Sequence, residues 1–245
     1  MNKELRIEKI LEPSHSPFKE ELVSSEFKRN RIKKFISDPE KIVRIHSTGA
    51  PLEVLRKEIE IGKTIFEDLR NIYHVPIPNF EFVIGPYINE EIPFAYTWIE
   101  RVHGENLAGI TFSAEQKERA KNQLDALYSS LVQYFRDAYE EKRTYLSDVT
   151  KPEQYVYGKR RSDSQDSVYL VDLDYFRNND FSTADSYEAF FNNARWLYFD
   201  IKNMEKKVGI PLNNAIQRFR EFIASVDASD PYYGRIEDLK EILNA

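Results

Sequence analysis

Two carboxylates follow a short apolar run in the stretch SVYLVDLDYF (167–176). Residues 168–171 are β-branched, aromatic or aliphatic, which favours a buried strand, and Asp172 and Asp174 stand where that run ends. Two residues apart on a strand, the two side chains would lie on the same side. Their oxygens suit a hard cation such as Mg²⁺. The pattern therefore favours a metal site. In the alternative, Asp174 caps a turn and Asp172 pairs with an arginine or a lysine.

The composition describes a globular chain of one large domain or two small lobes. Of the 245 residues, 41% are hydrophobic, and 16 Phe and 15 Tyr provide for a substantial core. The net charge of -6 argues against a nucleic-acid-binding protein, which usually carries a basic excess. The lack of cysteine excludes disulfides and thiolate chemistry, and four scattered histidines argue against a histidine metal centre.

No segment of the sequence has the pattern of a membrane anchor. The stretch MNKELRIEKILEPSHSPF at the N-terminus has no apolar core of the signal-peptide type. No later segment reaches the roughly 18 uncharged apolar residues that a membrane span needs. We therefore expect a cytoplasmic protein that does not bind membranes.

The first half predicts a hairpin, a helix and two strands. NRIKKFIS alternates apolar and basic residues as an edge strand does, and the Asp-Pro turn leads into KIVRIHS, so that 27–47 would form a hairpin. Apolar residues at 52, 55, 59, 65, 69 and 72 follow the period of an amphipathic helix. The prolines of HVPIPNF end that helix, and EFVIGPYI and FAYTWIERV follow as strands.

The second half is mostly helical. SAEQ (113–116) has the form of a capping box before an apolar stripe at 120, 124, 127, 131, 135 and 138. A proline loop leads to YVY, a polar tip GKRRSDSQDS and VYLV, which predict a second hairpin. Three helices follow, SYEAFFNNARWLYFDIKNMEKKVG, PLNNAIQRFREFIASV and RIEDLKEIL, with Trp196, Tyr198 and Phe199 expected in the core.

This order of elements resembles the two-lobed protein-kinase-like superfamily, and within it the small kinases of the aminoglycoside and choline phosphotransferase branch. The resemblance covers about residues 22–225. It implies an α+β fold with an N-terminal arm over 1–20 and a sheet-rich N-lobe over 21–103, which has a five-stranded type of sheet and one helix. A helical C-lobe with the catalytic-loop hairpin would occupy 104–245.

The stretch DVTKPEQYVYG (148–158) is similar to the catalytic loop of protein kinases, Asp-Leu-Lys-Pro-Glu-Asn followed by a strand. The match implies that Asp148 accepts the proton of the substrate hydroxyl, that Lys151 neutralises the γ-phosphate and that Gln154 holds a metal. The residues before the acid, one inserted threonine and Gln in place of Asn depart from the kinase pattern. A charge-rich surface turn is the alternative.

Two further matches concern the metal and the adenine base. VDLD gives Asp172 the place of the aspartate of Asp-Phe-Gly, which binds the Mg²⁺ that bridges the ATP phosphates. WIERVHGENL (98–107) resembles the hinge of these kinases, and this assigns the backbone contacts with adenine to Glu100 and Val102. An edge strand with an ordinary glycine turn is the alternative for the hinge.

The fourth match is an ion pair. The resemblance assigns Arg44 to the strand lysine that contacts the α- and β-phosphates. Its carboxylate partner would be Glu58 or Glu60, and Glu58 is favoured because it adjoins the buried stripe through Leu55 and Ile59. Two solvated charges are the alternative.

The resemblance leaves two functions open. The first is an atypical phosphotransferase that uses ATP and Mg²⁺ to phosphorylate a hydroxyl of a small molecule or a protein. The second is a catalytically inactive pseudokinase, a nucleotide-binding or protein-interaction scaffold, because ELVSSEFKRNRI (21–32) lacks the glycines of a phosphate loop. Acidic side chains near the C-terminal helices would suit a cationic acceptor. The basic tip, Lys159 to Arg161, is expected to be solvated.

Overall fold

The computed structural model describes residues 22–24, 32–35, 39–46, 51–86, 93–173, 178–231 and 233–244. Its strands are β1 (Leu22–Ser24), β2 (Ile32–Phe35), β3 (Lys41–His46), β4 (Phe80–Pro86), β5 (Pro93–Glu100), β6 (His103–Asn106), β7 (Tyr145–Leu146), β8 (Tyr155–Lys159), β9 (Ser167–Leu170) and β10 (Asn178–Asn179). Its helices are α1 (Leu52–Asn71), α2 (Ala114–Glu141), α3 (Ala184–Val208), α4 (Asn213–Ser225) and α5 (Gly234–Asn244). The predicted arm over 1–20 and the basic residues of 25–31 lie outside the described residues.

The N-terminal half forms one antiparallel five-stranded sheet in the order β1-β2-β3-β5-β4. β3 pairs with β5 along its whole length, so that Arg44 lies opposite Thr97. α1 joins β3 to β4 and buries Leu55, Ile59, Ile65 and Leu69 of the predicted apolar spacing. Ile72 of that spacing follows the helix and is exposed, contrary to the prediction. The prediction that the strand at NRIKKFIS is an edge strand is wrong, because β1 pairs with the outer side of β2.

The C-terminal half packs around α2. Its N-terminus carries the predicted capping box, in which Ser113 Oγ accepts from the Gln116 N–H and Gln116 Oε1 accepts from the Ser113 N–H. All six positions of the predicted apolar stripe are buried, and α3 and α4 pack against this helix. None of the helices in the described ranges is both long and apolar enough to cross a membrane.

The predicted second hairpin forms from β8 and β9, and β6 joins it as a third strand in the order β6-β8-β9. Gly104 of β6 lies opposite Gly158 of β8. A Cβ atom on Gly104 would lie 2.1 Å from the Tyr157 carbonyl oxygen and 2.6 Å from Gly158 Cα, so no side chain fits there. The glycine pair thus allows the segment between the two lobes to lie directly against the hairpin.

Side chains fix the end of this linker as well. Asn106 Nδ2 donates to the Glu153 carbonyl at 2.8 Å. Lys207 of α3 donates to the Leu107 carbonyl at 2.9 Å and also to the Ala108 carbonyl. The linker is therefore bound to the predicted catalytic loop on one side and to α3 on the other.

Candidate active site

A cavity of about 1030 Å³ opens between β3, the loop before β8, the end of β9 and α3. Five of the predicted site residues line it: Arg44, Asp148, Lys151, Gln154 and Asp172. These side chains come from three segments that are far apart in the sequence. The other three, Glu58, Glu100 and Val102, are not among the described residues that line this cavity.

The predicted catalytic loop consists of two short 3-10 turns, Asp148–Thr150 and Pro152–Gln154. Proline at the first position of the second turn has a backbone angle suited to that turn and no N–H to leave unpaired. The buried Tyr155 hydroxyl donates to the Val149 carbonyl and anchors the first turn. Lys151 Nζ lies 2.6 Å from Asp148 Oδ1, so the predicted phosphate ligand and the predicted base contact each other.

The backbone holds the two predicted metal ligands side by side. The Gln154 carbonyl accepts from the N–H groups of Val171 and Asp172, at 2.9 and 3.3 Å. The Gln154 side chain is buried, and its Oε1 has no hydrogen-bond partner among the described residues. A buried oxygen without a donor is costly, and an amide oxygen beside a carboxylate fits the ligands that Mg²⁺ prefers.

Protein ligands alone do not complete a metal site here. No group of three or more His, Cys, Asp or Glu side chains in the described part of the chain is arranged to hold a metal ion. A cation on Gln154 and Asp172 would need its remaining oxygen ligands from phosphate or water, as is usual for Mg²⁺ in nucleotide sites. Asp174 lies outside the described residues, so its part in the site stays a prediction.

The structure corrects the predicted partner of Arg44. The Arg44 guanidinium forms an ion pair with Asp172 rather than with Glu58. Glu58 lies on α1, where its Oε2 is buried without a hydrogen-bond partner, and burial raises the pKa of its carboxyl group. The alternative, Glu60, is exposed. Sequence spacing placed the arginine and the acids on the right elements, but the side-chain distances decide which acid the arginine reaches.

The predicted hinge is partly occupied by contacts within the N-terminal sheet. The Glu100 N–H donates to the Asn79 carbonyl at 2.7 Å, and the Arg101 N–H donates to the Glu40 carbonyl at 2.6 Å. The Glu100 carboxylate accepts from Asn79 Nδ2 at 2.8 Å. The Glu100 N–H is therefore not open to a ligand, and a contact of adenine with the Glu100 carbonyl or the Val102 backbone stays a prediction.

A stripe of α3 that the sequence did not reveal also lines the cavity. It consists of Asn193, Trp196, Asp200, Asn203 and Lys207. The core position predicted for Trp196 is wrong, because its side chain is 64% exposed, while Tyr198 is buried as expected and Phe199 is half-buried. Spacings of three, four, three and four residues were present in the sequence and mark one helical face. The spacing alone does not indicate whether this face borders a cavity, the solvent or the core.

Asp200 is the group on this stripe whose ionisation the protein shifts most clearly. Its pKa is raised to about 7, chiefly by burial and also by the Glu153 carboxylate, while Lys151 acts in the opposite direction. The native state therefore retains a proton between about pH 4 and pH 7 that an unfolded aspartate, with an ordinary pKa of about 3.9, has lost. Native Asp200 thus favours folding at acidic pH, and the free energy of unfolding falls as the pH rises through that window.

We expect Asp200→Asn to remove this dependence. The variant should be about as stable as the wild type at pH 4 and more stable at pH 8, by about 1 kcal/mol once solvent screening of this half-buried group is allowed for. Thermal unfolding from pH 4 to pH 8 measures the difference. Asp185→Asn, which changes an exposed acid on the same helix, is the control and should keep the wild-type profile. Parallel profiles for all three proteins would contradict the prediction.

The basic tip is only partly solvated, contrary to the prediction. Arg160 Nη2 lies 2.8 Å from Asp163 Oδ1, and the Tyr169 hydroxyl donates to the same carboxylate at 2.7 Å. These contacts hold the pKa of Asp163 well below its usual range. Arg160 Nη1 also lies 3.6 Å from Glu100 Oε2, so this arginine ties the tip to the end of β5. Lys159 and Arg161 are exposed, as predicted.

No protein-family model matches the chain, and no curated protein matches its sequence. Solved structures with a similar course of the chain include a microcompartment-associated aminopropanol kinase, with 12% identity over 91% of this chain and 82% of that one and a TM-score of 0.46. They also include WaaP in complex with acyl carrier protein, with 12% identity over 91% of this chain and 87% of that one and the same TM-score of 0.46.

The chain's own topology defines its fold. A five-stranded antiparallel sheet with one helix between its third and fourth strands precedes a helical region, and a hairpin carries the predicted loop at its start and Asp172 at its end. These features are those that the sequence resemblance implies. The chain has a two-lobed, protein-kinase-like α+β fold.

Proposed function

We propose that this protein is an atypical kinase-like phosphotransferase that moves the γ-phosphate of ATP to a hydroxyl group of a small molecule or a protein. One observation carries the proposal. Arg44, Asp148, Lys151, Gln154 and Asp172 were selected from the sequence alone, and all five line one cavity. In this type of fold the protein contributes mainly positioning and charge stabilisation, which is what such a constellation provides.

Each residue has a separate role in the proposal. Asp172 and Gln154 would hold Mg²⁺, which when bound neutralises charge on the transferred phosphate. Asp148 accepts the proton of the attacking hydroxyl, and it is half-buried beside the cavity, where a substrate can reach it. Lys151 balances phosphate charge, and its flexible side chain lets it exchange Asp148 for a phosphate oxygen.

Arg44 and Glu58 complete the nucleotide side of the site. Arg44 would leave Asp172 to contact the α- and β-phosphates, and Asp172 would then be available to hold Mg²⁺. A role for Glu58 beside the nucleotide rests on the sequence resemblance and on its buried oxygen without a hydrogen-bond partner. Glu100 and Val102 would supply the backbone contacts with adenine, with the Glu100 carbonyl as the open group.

A pseudokinase is the second candidate, and a specific observation favours it. The four charged groups expected to meet nucleotide and substrate are joined to one another in the ion pairs Arg44–Asp172 and Lys151–Asp148. Nucleotide binding must break both pairs. A protein in which these pairs persist would act as a scaffold with a kinase-like shape.

The first test is thermal unfolding with and without ATP and Mg²⁺. Ligand at a hundred times its Kd stabilises by about 2.7 kcal/mol, which for a chain of this size is roughly a 5–10 °C rise in Tm. We expect a Mg²⁺-dependent rise for the wild type that Asp172→Asn loses. Asp166→Asn, an acid at the hairpin tip outside the cavity, is the matched control and should keep the rise.

The outcomes separate the candidates. No change in Tm for the wild type at millimolar ATP and Mg²⁺ would contradict both the phosphotransferase and a nucleotide-binding pseudokinase. A rise in Tm that persists in Asp172→Asn would show that Asp172 is not a metal ligand. A shift without any phosphate transfer would leave the pseudokinase.

A further inference from the structure

One face of α3 is built as a wall of the cavity. Its residues recur at intervals that keep them on a single helical face, and at 1.5 Å per residue the row from Asn193 to Lys207 is about 21 Å long. The adjoining face, which includes Phe190, Leu197 and Ile201, is buried in the core. Core packing therefore fixes the direction of the stripe towards the cavity.

Trp196 at the centre of this wall has an exposed indole. In the described part of the chain only three large hydrophobic side chains are exposed, and the other two, Val54 and Ile72, lie on α1 and directly after it. A ligand that covered the indole would gain roughly 25 cal/mol for each Å² of apolar surface removed from water. Phe199 contacts the indole edge-to-face with centroids 6.1 Å apart. The exposed face of the Trp196 ring is therefore a flat apolar surface beside the cavity.

The polar groups of the wall both donate and accept hydrogen bonds. Asn193 and Asn203 carry amides, which offer two N–H donors and a carbonyl acceptor each. Asp200 retains its proton up to about pH 7 because its pKa is raised by burial, so its carboxyl group also donates and accepts. Hydroxyl groups have this same dual character, whereas an ammonium group only donates.

The charges of the cavity do not favour a cationic ligand. Four cations line it, Arg44, Lys151, Lys206 and Lys207, and so do four acids, Asp148, Glu153, Asp172 and Asp200. Asp148 and Asp172 already pair with lysine and arginine. Of the two other acids, Asp200 lies where burial disfavours its negative charge. The cavity therefore lacks the acidic surplus that recognition of an amine requires, which argues against the cationic acceptor expected from the resemblance.

We propose that the α3 wall binds a neutral polyhydroxylated compound, a sugar or cyclic polyol, as the phosphoryl acceptor. The apolar C–H face of its ring stacks on Trp196, and its hydroxyl groups bond to Asp200 and Asn203. Asp148 lines the same cavity and receives the proton of a hydroxyl that the wall leaves free. The site's role as acceptor site rests on the proposed function, but the binding of a sugar does not.

Tryptophan fluorescence tests the proposal without nucleotide or turnover. The chain has two tryptophans, so Trp98→Phe leaves Trp196 as the sole emitter. We would titrate this protein at pH 6, where Asp200 with a pKa of about 7 mostly keeps its proton, with neutral hexoses, pentoses and inositol. The amino counterpart of each, such as glucosamine against glucose, would be titrated in the same way. The expected result is a saturable blue shift with at least one neutral compound and weaker binding of its amine.

Variants on the same helix locate the binding. In the Trp98→Phe background, Asn203→Ala and Asp200→Ala should each raise the Kd about tenfold, which corresponds to the loss of about 1.4 kcal/mol of hydrogen bonding. Asn192→Ala makes the same substitution at an exposed position of α3 that does not line the cavity, and it should leave the Kd unchanged. Far-UV circular dichroism confirms that each variant is folded.

Each outcome supports or contradicts the binding of a sugar at the α3 wall. No saturable shift with any neutral compound would overturn the inference, as would tighter binding of the amines or equal effects of Asn203→Ala and Asn192→Ala. The ATP and Mg²⁺ measurement is independent of this one. Nucleotide binding without a sugar response would support the proposed function and contradict sugar binding at the α3 wall. A sugar response without nucleotide binding would support the sugar site and contradict the proposed function.

Discussion

Replacing Gly104 by alanine should lower the free energy of unfolding by about 3 kcal/mol, the upper part of the usual range for overpacking. The new Cβ would lie 2.1 Å from the Tyr157 carbonyl oxygen, which is backbone and cannot rotate away. β6 and β8 must therefore separate along their paired length. For a chain of this size the expected fall in Tm is about 6–12 °C, measured by thermal or urea unfolding.

Two substitutions in the same chain serve as comparisons. Gly109→Ala should change Tm little, because its Cβ would find its nearest neighbour at 3.8 Å. Gly158→Ala should cost about as much as Gly104→Ala, since its Cβ would lie 2.3 Å from the His103 carbonyl oxygen. The double variant should cost less than the sum of the two, because one separation of the strands relieves both clashes. Similar Tm values for Gly104→Ala and Gly109→Ala would refute the close approach of these strands.

Asp148→Asn should reduce phosphoryl transfer by about a hundredfold to ten-thousandfold if the protein is an active phosphotransferase, the range for loss of a general base. Asparagine keeps the size of the side chain but cannot take up the hydroxyl proton. The affinity for ATP should not fall, because Asp148 is assigned to the acceptor and the loss of its charge frees Lys151 for the γ-phosphate. Transfer of labelled γ-phosphate to a sugar acceptor or to water gives the rate, and the thermal shift gives the affinity.

The control for this measurement is again an acid outside the cavity. Asp185→Asn should transfer phosphate at the wild-type rate. If Asp148→Asn were as active as the wild type, another group would be the base. If the wild type bound ATP but neither transferred nor hydrolysed it, the pseudokinase would be the function.

Local patterns in the sequence predicted the elements well. The capping box at Ser113 and the apolar spacing of α1 and α2 depend on interactions between residues close in sequence. The helices they predict therefore form whatever the rest of the fold is. The same holds for the β8–β9 hairpin, whose strands are separated by one polar tip. The edge-strand prediction was wrong because β1, only three residues long, carries little signal of its own.

The site was predictable in its members but not in its contacts. Kinase-like spacing selected five residues that meet in one cavity. The partner of Arg44 could not be read from spacing, since Asp172 and Glu58 are both acids of the expected kind and only side-chain distances separate them. The exposed position of Trp196 was missed because a helical stripe has the same period whether it faces the core or a cavity.

The backbone hydrogen bonds of the linker change partners at a single residue, from the N-terminal sheet to β8. The N–H groups of Glu100 and Arg101 are bonded to carbonyls of the N-terminal sheet region, so the chain moves with that sheet up to Arg101. From His103 onward the backbone is paired with β8, so it moves with the helical lobe. Val102 lies between these two bonded networks.

If the cleft opens or closes, we expect the linker backbone to rotate about Val102, and the two side-chain pairs that cross this point, Arg160–Glu100 and His103–Glu40, would have to break. The Arg44–Asp172 ion pair joins β3 to the end of the β8–β9 hairpin across the cleft, so such an opening would break it as well. An adenine ring held by the Val102 backbone would lie on the axis and hardly move. The phosphates would travel instead, and the exchange of Arg44 between Asp172 and a phosphate would mark the two ends of that travel.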